Sequence, residues 1–134
     1  MIIDLEETFT IGEDTFLDSV AEPFAVAFED DLETGYFYAY DMSKNDDQIL
    51  DALHIYDVES VVGKSKPCIL QIAWSDDKTI ASLLIDTYCH AIFDFKNKRS
   101  YSRNGYPECL TDWSTNADRI LTEELINEVF KDRK

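Results

Sequence analysis

The sequence predicts an α+β fold: a curved antiparallel sheet of about five or more strands, possibly split into two small sheets, with about two helices packed against it. Three observations carry that expectation. Short runs rich in aromatic and aliphatic residues recur with turn residues between them. In the second half the links between these runs are too short for a parallel crossover, which needs about a dozen residues. Two further stretches, 43–56 and 122–132, space their apolar residues at helical intervals. A chain of 134 residues is expected to form one domain, 1–134. With 45% apolar and 13% aromatic residues it can build a core without a metal or disulfide staple.

The first strand expected is EPFAVAFED (22–30), entered through Pro23. GYFYAYD (35–41) is the next. Between them DDLET supplies turn chemistry, so the pair reads as a hairpin with an acidic tip. Period two puts Tyr36, Tyr38 and Tyr40 on one face and Phe37 and Ala39 on the other. Charges at the tip, Asp30 and Asp31 among them, are expected to be exposed and replaceable without loss of the fold.

SKNDDQILDALHIY (43–56) reads as a helix. Asn45 suits its N-cap, Asp46 and Asp47 its first turn, and Ile49, Leu50, Leu53 and Tyr56 its apolar face. Asp47 and Asp51, four apart, would share another face. GKSK (63–66) is a loop. PCILQIAWS (67–75), KTIASLLID (78–86) and HAIFDF (90–95) then form an antiparallel meander, with a weaker strand starting at Ser100. YPECLTDWSTNAD (106–118) is irregular. TEELINEVFKD (122–132) closes as a helix capped by Thr122, with Leu125, Ile126, Val129 and Phe130 on its apolar face.

The net charge is −16 and it is segregated. Residues 1–63 hold seventeen acids and one base, Lys44, whereas residues 64–134 hold eleven of each. Such a field repels phosphate backbones and anionic lipid and attracts basic partners, so direct nucleic-acid binding is not expected. The plainer reading is a well-solvated acidic surface that keeps the protein soluble.

Cys68, Cys89 and Cys109 form an odd, widely spaced set without a CxxC pair. They read as reduced, mostly buried thiols. The first residues, MIIDLEETFTIGED, lack the basic and apolar regions of a signal peptide, and no stretch approaches the ~18 apolar residues of a membrane span. A bacterial cytoplasmic location is the expectation.

Catalytic patterns are weak. The two histidines are His54, inside the predicted helix, and His90, adjacent to Cys89 on a strand, where neighbours point to opposite faces. HExxH, paired CxxC, EF-hand and phosphate-loop patterns are absent. DDLET is acidic but lacks the alternating ligands of a calcium loop. With 28 acids some carboxylate pair will always stand at a catalytic distance, so that signal carries little. No cofactor and no enzymatic activity are expected.

What remains is the stretch AFEDDLETGYFYAYD (27–41), where acids adjoin tyrosines. Tyrosine is enriched in interface cores, and carboxylates steer association with basic partners. The candidate partner-binding residues are therefore Glu29, Asp30, Asp31, Glu33, Tyr36, Tyr38, Tyr40 and Asp41, with Asp46, Asp47 and Asp51 of the predicted helix. Against this stands ordinary sheet packing of the tyrosines.

FEDDLETGYFYAYD, ILDALHIYDV, the WSDD turn and HAIFDF resemble a family of small bacterial proteins known only as a domain of unknown function, from about Phe24 to Pro107. The resemblance implies a compact cytoplasmic α+β domain and transfers no catalytic residue. In size, acidity and lack of catalytic motif the chain is also similar in type to immunity proteins of bacterial toxin systems, including contact-dependent inhibition. Three functions follow: an acidic protein that neutralises a basic toxin domain such as a nuclease, a stand-alone domain with another binding or structural role, and a carboxylate-dependent enzyme. Because metal motifs are absent, the purified protein is expected to carry no stoichiometric zinc. Elemental analysis finding one tightly held equivalent would contradict that.

Overall fold

The computed structural model describes residues 2–46, 48–105 and 119–131. The described chain is mostly β. Its strands are β1 (Ile2–Phe9), β2 (Thr15–Ala21), β3 (Phe24–Asp30), β4 (Thr34–Asp41), β5 (Ile49–Asp57), β6 (Cys68–Trp74), β7 (Ile80–Ile85), β8 (Tyr88–Asp94) and β9 (Arg99–Ser102). A single-turn 3-10 segment, Val58–Ser60, follows β5, and one α-helix, α1 (Glu123–Lys131), lies near the end.

The strands form two antiparallel sheets. One has five strands in the order β1-β6-β7-β8-β9, the other four in the order β2-β3-β4-β5. The β3–β4 hairpin and the β6–β9 meander stand where turn chemistry and short links place them. The edges come together in pairs, β1 beside β2 and β5 beside β9. Between the sheets lies an aromatic core. Phe24 stacks on Phe95 at 4.4 Å, Phe37 on Phe93 at 5.1 Å, and Phe9 meets Phe28 edge-on at 5.3 Å. Trp74 is buried beside Phe95 and donates its indole N–H to Ser19 Oγ at 2.9 Å. The Ser19 hydroxyl donates in turn to Asp4, so one polar chain ties β6, β2 and β1.

The expected helix at 43–56 is instead a loop followed by β5, so among the described residues one α-helix packs on the sheets where about two were expected. The cause lies in the ladder to β4. The register passes from Gly35↔Tyr56 to Tyr36↔His54, and from Ala39↔Asp51 to Tyr40↔Ile49. Ile55 and Leu50 are therefore extra residues at two irregularities. Each extra residue shifts the two-residue alternation by one. Leu50, Leu53 and Tyr56 thus approach the core at three-residue spacing, which imitates a helix in the sequence. Strand pairing wins because it buries Leu53 completely and covers the edge of β4. Strands β1 and β2 were not expected. β1 is an acidic edge strand whose residues are mostly exposed, so its alternation is faint.

The terminal helix stands where expected. Thr122 Oγ1 accepts the N–H of Leu125 at 3.1 Å, which caps its first turn. Leu125, Ile126 and Val129 pack with Leu121 over Ile80 and Ile92, on the outer face of the five-stranded sheet. The side chain of Phe130 lies outside the described residues, as does the 106–118 stretch with Cys109. Upstream of α1, Ser102 donates its N–H to Arg119 O and accepts Leu121 N–H, adding a parallel bridge to β9. Arg119 is buried at the β5–β9 seam and pairs with the equally buried Asp51 at 3.1 Å.

Asp30 corrects the expectation of an exposed acidic tip most sharply. It ends β3 facing inward and is fully buried. Its carboxylate accepts three hydrogen bonds: from Gly12 N at 2.7 Å, Leu32 N at 2.8 Å and the Tyr56 hydroxyl at 2.6 Å. The Tyr56 ring reaches it by lying over Gly35, where an added Cβ would stand 2.6 Å from the ring. Glycine is thus required here for close approach. Asp31, by contrast, is exposed and organises the turn, accepting the N–H groups of Glu33 and Thr34.

Two outcomes follow. Asp30→Ala strands three donors and should destabilise the fold by about 3–5 kcal/mol, against about 1–2 kcal/mol for Tyr56→Phe. Urea unfolding measures both, and a loss below about 1 kcal/mol for Asp30→Ala would contradict the hub. The second concerns His90, an extra residue in the β8 ladder with its ring edge-on to Tyr88. Burial, and then the Arg103 charge, pushes its pKa down to about 4. Between ~6.5 and that value the unfolded chain binds a proton the fold does not, so this contribution to stability is lost as pH falls through that window. NMR titration of the His90 ring should give a midpoint near 4. A midpoint at or above ~6.5 would contradict it.

Candidate binding face of the four-stranded sheet

The two sheets differ in what covers their outer faces. The outer face of the five-stranded sheet receives Leu121 and α1. No described helix or strand is laid across that of the four-stranded sheet. Strand register defines what this second face presents. Along β2 it shows Phe16, Asp18 and Val20. These stand opposite Glu29, Ala27 and Ala25 of β3, which stand opposite Tyr36, Tyr38 and Tyr40 of β4. On β5, His54 and Ala52 continue the rows from Tyr36 and Tyr38.

The tyrosines occupy the face that alternation predicts, while Phe37 and Ala39 are fully buried beneath. Their rings form a ladder, with Tyr36 6.0 Å from Tyr38 and Tyr38 6.3 Å from Tyr40. Each is half-buried, leaning on its neighbours while keeping one side accessible. Phe16 is 58% and Val20 46% exposed; other large apolar groups of the chain are exposed too, but these two share one face with the tyrosine ladder.

The electrostatics of the face are negative. The Tyr38 hydroxyl donates to Glu29 Oε1 at 3.1 Å, and burial together with that carboxylate raises its pKa well above the usual phenol value. Tyr40 is raised by burial, then by the charges of Glu29 and Asp18. At the hairpin tip the Asp31 carboxyl is held below its ordinary value by the backbone N–H groups of Thr34 and Glu33. At the opposite end of β4, Asp41 is held low by the hydroxyl and then the N–H of Ser43. Both stay ionised at neutral pH.

The structure separates the sequence-predicted set into groups. Glu29, Tyr36, Tyr38 and Tyr40 share the outer face, and Asp31 and Glu33 stand at its tip. Asp41 lies at the far end and Asp46 in the exposed loop beyond it. Asp30 and Asp51 point inward and are buried, so neither can touch a partner in this fold. Asp47 lies outside the described residues. Sequence reasoning missed Phe16, Asp18 and Val20. Their signal was the alternation in TFLDSVA, where they interleave with Leu17, Ser19 and Ala21.

Other chemistry-bearing groups are dispersed. His54 Nε2 meets Asp57 at 2.9 Å and its Nδ1 meets Asn104 at 2.7 Å, so both ring nitrogens are engaged at the β5–β9 seam. Cys89 is pushed up to about 11, chiefly by burial, and remains a thiol at neutral pH. Among the described residues no three His, Cys, Asp or Glu side chains are grouped to hold a metal ion. No described helix is long and apolar enough to cross a membrane.

Comparison with known proteins places the chain among bacterial proteins without an assigned role. It is 48% identical over 90 residues to an uncharacterized protein of Haemophilus influenzae, covering 67% of this chain. That match spans 56% of the relative's length, so the chain corresponds to little more than half of it. No solved structure matches. The family model that matches, over residues 9–130, is that of an uncharacterized protein conserved in bacteria, and the chain belongs to this family, DUF2251.

Proposed function

We propose that this protein binds a basic protein partner through the outer face of its four-stranded sheet, and that the partner is a toxin domain, such as a nuclease, which it neutralises by direct contact in the cytoplasm. One observation carries the reading. An aromatic and aliphatic face is left uncovered by the described residues, within the half of the chain that holds seventeen acids and one base. Phe16 and Val20 are exposed beside a tyrosine ladder, and aromatic residues with apolar neighbours are the composition of interface cores. The carboxylates at its rim supply steering, and the rings supply desolvated contact area.

A nuclease domain must carry lysine and arginine to hold phosphates. An inhibitor using carboxylates exploits that same basic surface, and its field keeps it away from nucleic acid. Such a task asks for fast capture and no catalysis, so no nucleophile, metal or cofactor enters the reading.

Co-expression with the polypeptide encoded beside this gene tests it. The neighbour alone should arrest growth, this protein should restore growth, and the two should co-purify as a salt-sensitive complex. A harmless neighbour, or toxicity that persists in the presence of this protein, would defeat the toxin reading. Within such a complex, Asp31→Lys combined with Glu33→Lys should slow association and flatten its salt dependence while the fold persists. Unchanged kinetics would remove the hairpin tip from the interface.

A further inference from the structure

The face that the described residues leave open contains a groove of defined size. Its floor is Ala25 and Ala27, one wall is Phe16, Asp18 and Val20, and the other is Tyr40, with Met42 and Gln48 at one end. The walls stand on strands that flank β3, about 10 Å apart. The cavity measures about 170 Å³. That is about the share of five or six waters and lies below the ~300–1,000 Å³ of small-molecule sites. It has room for one long side chain.

Charge selects which side chain. Among the described residues Asp18 is the one carboxylate lining the cavity; it is exposed and makes no hydrogen bond or ion pair with any of them. Glu29 lies two residues along β3 from Ala27, held by the Tyr38 hydroxyl. The negative field of both acids is felt at the Tyr40 phenol. A second copy of this chain would bring a further net charge of −16 to the same face, which disfavours self-association there.

Building on the basic-partner reading above, we propose that this groove receives an arginine side chain of the partner. Its aliphatic stem lies on Ala25, Ala27 and Val20, and its guanidinium stacks against Tyr40 and pairs with Asp18. Arginine fits better than lysine. Its planar, weakly hydrated head stacks on aromatic rings and offers a carboxylate two parallel donors, whereas an ammonium is a strongly hydrated point charge.

The test is an NMR titration of the ¹⁵N-labelled protein with the peptide acetyl-Thr-Arg-Thr-Arg-Thr-amide, and with the same peptide carrying citrulline at both arginines. The arginine peptide should shift the amides of Phe16, Asp18, Val20, Ala25, Ala27 and Tyr40, and the uncharged peptide should bind at least about tenfold more weakly. Asp18→Asn should weaken binding about fivefold or more, and Asp31→Asn, outside the groove, by less than about twofold. Shifts spread over the whole acidic surface, equal losses from the two variants, or no groove shifts at millimolar peptide would overturn the arginine site. Those outcomes leave the basic-partner reading standing, because co-expression tests that reading separately. A free protein already dimeric through this face, and dissociated by Val20→Asp, would give the groove to a second copy and also overturn the proposal.

Discussion

The buried carboxylate of Asp30 is the constraint around which one end of the sandwich is organised. It joins three segments distant in sequence: the β1–β2 connection through Gly12, the β3–β4 turn through Leu32, and the end of β5 through Tyr56. A charge without donors would be intolerable at this depth, so each donor that arrives offsets part of the cost of burying it. Gly35 has no side chain because the Tyr56 ring needs its space. The register of β3 with β4, and hence the side on which the tyrosines emerge, is fixed by this arrangement together with the buried Phe28 and Phe37. A one-residue slip would turn the tyrosines inward and expose the phenylalanines.

Once register is fixed, the two outer faces take different roles. On the five-stranded sheet, Ile80 and Ile92 are covered by the segment that leads into α1 and by the helix itself. That segment is anchored by the Arg119–Asp51 pair and by hydrogen bonds to Ser102. On the four-stranded sheet the outward rows combine alanines, tyrosines and acids with the exposed Phe16 and Val20, and no described helix or strand lies across them. This asymmetry, rather than net charge by itself, motivates the binding proposal.

Much of the architecture was legible in the sequence. Turn residues at 31–34 and two-residue alternation fix the β3–β4 hairpin and the tyrosine face, because both depend on neighbours only a few residues away. The same holds for Thr122 and α1. What escaped sequence reading depends on long-range partners. The irregularities at Leu50 and Ile55 turn a strand pattern into a helical one, and only the ladder with β4 reveals them. The donors to Asp30 lie 18 and 26 residues away at Gly12 and Tyr56, and the partner of Asp51 lies 68 residues away at Arg119. A count of charges assigns all such acids to the surface. For the same reason the β2 wall was missed: Phe16, Asp18 and Val20 join the tyrosines only after β2 pairs with β3.

The central claim is that the face bearing Phe16, Tyr36, Tyr38, Tyr40 and Met42 is the one covered by a partner. Hydroxyl-radical footprinting of the free protein and of the co-purified complex tests this most directly, because aromatic and thioether side chains report their own solvent exposure. The account predicts that labelling of these five residues falls on complex formation, while Tyr88, on the other sheet and 48% exposed, is labelled equally in both states. An intact complex in which these five remain as reactive as in the free protein, or in which Tyr88 is protected instead, would contradict it.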